Sequence, residues 1–105
     1  MSKPLHAPMS SWPVVDGTLM VGGMPLTQLA RRVGRTPFYA YDRRLIDERI
    51  ALIRQHLAPR VKLHYAIKAN PMPALICHMA RLVDGLDVAS AGELTVALDS
   101  GISPR

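Results

Sequence analysis

The stretch VKLHYAIKA at residues 61–69 decides the fold, because apolar and polar residues alternate along it as in a β-strand. Asn70-Pro71-Met72-Pro73 interrupts that strand and opens a helix predicted to run through about Val83. A second strand over residues 86–89 and a helix from Ser90 to Gly101 follow. Strands that alternate with helices are typical of βαβ units, so we predict an α/β fold with a parallel sheet.

The segment before this unit predicts one long helix and a short strand. Residues 36–41 are aromatic and extended, which favours a strand, and Asp42 is suited to cap the next helix. Pro59 ends that helix, and Gly85 is predicted to end the helix that opens at Pro73. Apolar residues recur at helical spacing in the three helices, at Leu45, Ile46, Ile50, Ile53 and Leu57, then at Leu75, Ile76, Met79 and Leu82 or Val83, and finally at Leu94, Ala97 and Leu98.

The first third of the chain predicts β structure followed by a short helix. Residues 1–13 are interpreted as a flexible lead-in. Residues 14–24 have β character, with turn signals at Asp16-Gly17 and Gly22-Gly23. A helix is expected from Pro25 to Gly34, with an apolar face formed by Leu26, Leu29, Ala30 and Val33.

The number of βα units falls short of a closed barrel. One unit takes about 25 residues here, so eight would need roughly 200, and such barrels typically take about 250. This chain predicts two, and a two-stranded parallel sheet leaves its edges open. We therefore interpret the fold as the first βα units of a (β/α)8 barrel of the TIM type.

Composition excludes several classes of protein. The net charge is +5, but the basic residues are scattered and no aromatic residues interleave with them, so we do not expect nucleic-acid binding. No apolar run is long enough to span a membrane and the first residues lack a secretory pattern, so a cytoplasmic location is expected. The single cysteine, Cys77, and the scattered histidines His6, His56 and His78 predict neither a disulfide nor a metal site.

Strand alternation brings a lysine and a carboxylate to one face of the predicted sheet. Lys62, His64, Ala66 and Lys68 share the face opposite the apolar one, and Lys68 lies at the carboxyl end, where barrel enzymes carry their chemistry. Asp87 is predicted on the same face of the next strand. The pattern gives a Lys68/Asp87 pair but no reaction; His64 is interpreted as a barrel-interior residue.

Three motifs carry a resemblance to a known family. They are YAIKANP at residues 65–71, GLDVASAGEL at residues 85–94 and TPFYAYD at residues 36–42. In this order and spacing they resemble the fold-type III pyridoxal phosphate (PLP) decarboxylases of the ornithine/diaminopimelate type. The resemblance runs over residues 16–102, nearly the whole chain. Where the diaminopimelate branch most often has Ser-Gly-Gly-Glu-Leu, this chain has SAGEL at residues 90–94, which leaves the substrate open.

The resemblance implies a cofactor and a site. Lys68 would form the internal aldimine with PLP, whose ring takes up electrons when the substrate loses its α-carboxylate. Asp87 and Glu93 would lie near the cofactor in supporting roles. Ser90 and Glu93 also form a capping-box pattern, so Glu93 is open to a structural role as well.

The resemblance also implies an organisation larger than these residues. Residues 1–35 would be associated with a second, β-rich domain, and residues 36–105 would begin the PLP-binding barrel. The glycine-rich phosphate loop, the acid that pairs with the ring nitrogen, the stacking histidine and the dimer-interface cysteine would lie downstream. The parent enzyme would be a homodimer acting on a small-molecule amino acid, with the diaminopimelate type favoured over ornithine.

Two alternatives stay open. An alanine-racemase-like PLP enzyme shares the fold and the lysine chemistry, although residues 65–71 favour a decarboxylase. The second alternative is a truncated, non-catalytic fragment of such an enzyme. We expect the isolated chain to be inactive, because two βα units do not close a cofactor pocket.

Overall fold

The computed structural model describes residues 2–8 and 10–104, which form two compact units that divide between Leu45 and Ile46. The first unit is an antiparallel meander with one helix, and the second contains a parallel strand pair. No helix of the described residues is long and apolar enough to cross a membrane. The elements are β1 (Val14–Val15), β2 (Thr18–Val21), β3 (Met24–Pro25), α1 (Leu26–Val33), α2 (Arg43–His56), β4 (His64–Ala66), a 3-10 turn (Ile67–Ala69), α3 (Pro73–Ala80), β5 (Gly85–Asp87) and α4 (Ala91–Asp99).

The meander is built on two-residue hairpin turns, which lie at the two predicted turn signals. Val15 pairs with Thr18, and Asp16 and Gly17 between them have φ values of 50° and 76°. Gly22 and Gly23 form the turn between β2 and β3 in the same way, with φ values of 60° and 76°. Positive φ at both central residues gives a twist that matches paired strands, and glycine and aspartate adopt it most readily. Of the predicted lead-in, residues 1 and 9 lie outside the described residues.

Helix α1 packs on β2 and β3 and has the predicted ends. Pro25 precedes its first turn, and Gly34 follows its last turn with φ 82°. The Gly34 amide donates to the Ala30 carbonyl at 2.9 Å, which satisfies one of the free carbonyls at the helix end. Val33 departs from the predicted apolar face, because it remains 42% exposed.

Asp42 joins the meander to the start of α2. Its Oδ1 accepts from the Arg44 amide at 3.0 Å, which is the predicted N-cap, and its Oδ2 accepts from the Gly22 amide at 3.1 Å. Asp42 is a buried polar residue, and these backbone donors replace the water that its side chain would otherwise bind.

The strand predicted over residues 36–41 is wrong. The segment has no regular secondary structure, and its Tyr39 and Tyr41 side chains are 92% and 51% exposed. A strand requires a partner for its ladder, and among the described residues β4 and β5 pair only with each other. Aromatic content alone therefore gave a misleading signal at this position.

The second unit is a βαβ unit, as predicted. Strands β4 and β5 are parallel, with His64 opposite Gly85, Tyr65 opposite Leu86 and Ala66 opposite Asp87. Helix α3 forms the crossover between them. This confirms the α/β fold and the parallel pairing, and within the described residues the two strands do not close a barrel.

The core of this unit consists of two apolar clusters. The first is centred on Ile50, Met79 and Val83, and the second on Ile67, Ile76 and Ala97. Tyr65 and Leu86, which are opposite each other in the sheet, pack against both. The inward faces predicted for α2 and α3 are confirmed, since those residues are buried or half-buried while their neighbours on the opposite faces are mostly exposed.

Several predicted boundaries are wrong by a few residues. The strand predicted over 61–69 is paired only at His64–Ala66, because β5 offers three partners and no more. Helix α3 ends at Ala80 rather than Val83, and the Leu82 and Val83 amides donate hydrogen bonds to the Met79 carbonyl. Gly85 therefore begins β5 instead of ending a helix.

The inward face of α4 is rotated from the prediction. Ala97 is buried as expected, but Leu94 and Leu98 are 47% and 51% exposed. Val96 packs on the second cluster instead. Helical spacing gave the correct periodicity, but it could not decide which side of a largely apolar helix would meet α3.

Candidate functional site

Lys68 lies in the 3-10 turn that follows β4, and it is exposed. Because β4 ends at Ala66, strand alternation does not determine the direction of the Lys68 side chain. The sequence-based prediction had extended the alternation to Lys68. Ile67, the preceding residue, is completely buried between Ile76 and Ala97. A buried neighbour therefore anchors the backbone that carries the exposed amine, at the carboxyl end of a parallel strand.

Hydrogen bonds fix the turn on both sides of Lys68. The Asn70 amide donates to the Ile67 carbonyl at 3.1 Å, and the Tyr65 hydroxyl donates to the Asn70 carbonyl at 3.1 Å. The Asn70 side chain accepts from the Met72 amide at 3.1 Å, which shapes the entry into α3. Residues 67–70 thus form a closed turn around Lys68 rather than a continuation of β4.

Asp87 lies at the carboxyl end of β5 and is paired with His64. Nδ1 of His64 is 3.3 Å from Oδ1 of Asp87, and both side chains are substantially exposed. Ala66 is opposite Asp87 in the ladder, and His64 is opposite Gly85. Opposite residues of a parallel pair share a face, so Asp87 lies on the face of β4 that holds His64 and Ala66, as the sequence predicts.

Glu93 takes part in the predicted capping box at the start of α4. The Glu93 amide donates to the Ser90 hydroxyl at 3.1 Å, and the Glu93 carboxylate accepts from the Ala89 amide at 3.1 Å and from the Ser90 hydroxyl at 3.3 Å. The reciprocal bond thus reaches back one residue further than in the usual capping box. These bonds hold the carboxylate of Glu93 at the loop between β5 and α4.

The three predicted site residues are not bonded to one another. Among the described residues, no hydrogen bond or ion pair joins Lys68 to Asp87 or to Glu93. The structure does bring His64 to Asp87, a pairing that the sequence argument missed. Its available signals were the shared face of the two residues and the glycine opposite His64.

Asp84 forms a second cluster that the sequence argument missed. Its Oδ2 accepts from the Leu63 amide at 2.8 Å and from the Arg54 guanidinium at 3.1 Å, and Arg54 also donates to the Leu82 carbonyl at 2.8 Å. The Leu63 hydrogen bond and then Arg54 lower the pKa of Asp84 below its ordinary value, while partial burial opposes them. The cluster ties α2 to the residues that lead into β4 and β5.

A groove of about 700 Å³ lies along β5 and α4. Charged residues line one part of it, and Lys68 and Glu93 do not belong to its lining. The other part is apolar and includes the exposed Val88, Leu94 and Leu98. The charged lining residues are Lys62, Asp84 and Asp87, and the His64 ring lies among them.

The donor set fits the aldehyde end of PLP. An exposed lysine amine on a fixed turn is accessible to an aldehyde, and a lysine nucleophile must be neutral when it attacks. Asp87 places a carboxylate at the end of the neighbouring strand, and Glu93 places another in the first turn of α4. The described geometry assigns no group to the phosphate of such a cofactor.

The second unit is thus a parallel βαβ unit with a lysine after its first strand and a carboxylate at the end of its second. The family described as "Pyridoxal-dependent decarboxylase, pyridoxal binding domain" matches residues 43–105. The chain therefore belongs to this family, as the three motifs indicated.

Curated relatives agree with this assignment. Diaminopimelate decarboxylase of Aquifex aeolicus is 39% identical over 90 residues, which cover 86% of this chain and 21% of that protein. Lysine/ornithine decarboxylase of Selenomonas ruminantium is 39% identical over 74 residues, which cover 70% of this chain and 18% of that protein. Ornithine decarboxylase 2 of Drosophila melanogaster is 40% identical over 58 residues, which cover 55% of this chain and 15% of that protein.

The chain thus spans about a fifth of the length of these curated relatives. No solved structure matches it at a significant level.

Proposed function

We propose that this chain provides the cofactor lysine, Lys68, of a PLP-dependent decarboxylase that acts on a basic or diamino amino acid. The observation that carries the proposal is the turn at residues 67–69. It exposes the Lys68 amine at the carboxyl end of β4 while Ile67 anchors the backbone in the core. The family match over residues 43–105 supports PLP as the cofactor.

In this proposal, Lys68 binds the cofactor through Nζ. When bound, PLP supplies an electron sink for the carbanion that forms as carbon dioxide leaves. The closed turn fixes the backbone of Lys68, which reduces the entropy lost when its amine meets an aldehyde.

Asp87 and Glu93 have supporting roles in the same proposal. Asp87, at the carboxyl end of β5, would help to orient Lys68 and the ring of the cofactor. Glu93 would keep the loop between β5 and α4 in place through its bonds to Ala89 and Ser90. Neither residue is proposed to bind metal.

The names of the relatives support this substrate class. Two of those described above are named for diaminopimelate and for lysine and ornithine, all of which carry two amino groups. We therefore favour a diamino acid of the diaminopimelate type.

Covalent labelling tests the role of Lys68. The chain has three lysines, Lys3, Lys62 and Lys68, so the sites of reaction can be separated by peptide mapping. The purified chain is incubated with limiting PLP, reduced with borohydride and digested for mass spectrometry. We expect the phosphopyridoxyl group on Lys68 in clear preference to the other two lysines.

Lys62→Arg is the matched control, because Lys62 is also exposed and lies shortly before β4. It should leave the labelling of Lys68 unchanged, whereas Lys68→Arg should abolish the preferential label. Equal labelling of all three lysines would count against the proposal.

A further inference from the structure

The His64–Asp87 pair depends on a glycine in the neighbouring strand. His64 lies directly opposite Gly85 in the ladder, and Asp87 is two residues further along β5. A Cβ atom built on Gly85 would lie 2.6 Å from Cε1 and 2.7 Å from Nδ1 of the His64 ring. Such distances are far below van der Waals contact, so the ring occupies the space that any other residue at position 85 would fill.

The backbone of Gly85 does not itself require glycine. Positive φ values occur at Gly17, Gly22, Gly23, Gly34 and Gly101, and Gly85 is not among them. What position 85 needs is the absence of a side chain, because the imidazole rests there with Nδ1 directed at Oδ1 of Asp87, 3.3 Å away. Glycine in a strand often marks such a close approach.

We infer that His64 is a positioning residue for the Asp87 carboxylate, and that Gly85 makes the required ring position available. A carboxylate accepts but does not donate, so the pairing requires the proton of the neutral imidazole on Nδ1. The inference rests on the proposed function only for the role of Asp87 near the cofactor amine.

Because the pair is exposed, we expect it to orient the Asp87 carboxylate rather than to stabilise the fold. The side chains of His64 and Asp87 are 48% and 68% exposed, and exposed pairs of this kind contribute little to the free energy of folding. A hydrogen bond to one oxygen nevertheless restricts the rotation of the carboxylate. Lys62 and Asp84 are charged residues that line the same groove.

The tautomer of His64 provides the direct test. The chain is labelled with 15N-histidine, and long-range proton–nitrogen spectra are recorded in mildly alkaline solution, in which free imidazole is neutral. We expect the proton of His64 on Nδ1 in the wild type. In Asp87→Ala and in Gly85→Ala the proton should move to Nε2, the usual site in free histidine.

Gly92→Ala is the matched control, since a Cβ at Gly92 would meet only the Ser90 hydroxyl, at 4.0 Å. It should leave the His64 spectrum unchanged. An identical tautomer in the wild type and in Asp87→Ala would overturn the inference. If Gly85→Ala does not fold, the comparison with Asp87→Ala decides the question alone.

A second readout separates positioning from a structural contact. Asparagine places an amide donor close to the position of Nδ1, whereas phenylalanine fills the space without a donor. We expect His64→Phe to slow the borohydride-trapped labelling of Lys68 severalfold. His64→Asn should retain most of the wild-type rate. Equal rates in all three proteins would overturn the positioning role.

The two proposals fail in different ways. If wild-type Lys68 is not labelled preferentially, the proposed function fails, while an Nδ1 tautomer that depends on Asp87 still supports the pairing of His64. If Lys68 is labelled preferentially but the tautomer ignores Asp87, the proposed function stands and the role of His64 is rejected.

Discussion

Neighbouring residues of the turn after β4 have opposite environments, and this contrast is what makes Lys68 suitable for covalent chemistry. Ile67 is fully buried, whereas Lys68 is exposed. The burial of Ile67 could be predicted from the alternation of residues 61–67. The departure from the strand at Ile67 could not, because it depends on where β5 stops offering partners.

The contribution of Asp84 to stability should depend on pH. The Leu63 amide and Arg54 lower its pKa below the ordinary value of 3.8, so the ionised carboxylate stabilises the fold above that value. This contribution is lost as the pH falls through the lowered value. We therefore expect Asp84→Asn to reduce the free energy of unfolding most near neutral pH, and the difference from the wild type to shrink in strong acid.

Urea unfolding at a series of pH values measures this difference. Asp99→Asn is the control, because Asp99 is an exposed carboxylate near the end of α4. A difference between wild type and Asp84→Asn that stays constant with pH would contradict the assignment of the lowered pKa to the folded state.

Among the secondary-structure elements, α2 shows best what a local pattern can predict. Its apolar face and the N-cap Asp42 were predictable, because both depend on residues within a few turns of one another. The second bond of Asp42, to the Gly22 amide, was not predictable, because 20 residues separate the two. The same holds for Arg54 and Asp84, which are 30 residues apart.

The two hydrogen bonds that Asp42 accepts should stabilise the fold measurably. Asp42→Ala removes the N-cap of α2 and the acceptor for Gly22, and loss of a cap costs about 0.5–2 kcal/mol. We expect a loss toward the upper end of that range, measured by urea unfolding. Asp42→Asn keeps one acceptor oxygen for the Arg44 amide and should lose less. Equal stability of Asp42→Ala and wild type would show that neither bond matters.

At the scale of the whole chain, sequence could predict the class of fold but not the extent of pairing. The order of β4, α3 and β5 was predictable from periodicity, and the parallel pairing followed from it. The rotation of α4 was not, because Leu94, Val96, Ala97 and Leu98 are all apolar and only tertiary packing selects among them.

The isolated chain should not decarboxylate amino acids. With PLP present, we expect no release of carboxyl-labelled carbon dioxide from diaminopimelate, lysine or ornithine, because two parallel strands leave the cofactor region open to water. Trapping of radioactive gas measures the release, and the chain without PLP is the blank. Release above that blank that disappears in Lys68→Arg would contradict the prediction.

Tyr65 links the turn that carries Lys68 to the interior. Its ring packs against both apolar clusters, and its hydroxyl donates to the Asn70 carbonyl at 3.1 Å. Opening of that turn therefore disturbs the packing on both sides of the ring. Amide hydrogen exchange at Asn70 should consequently proceed through cooperative opening of the unit rather than through local fraying.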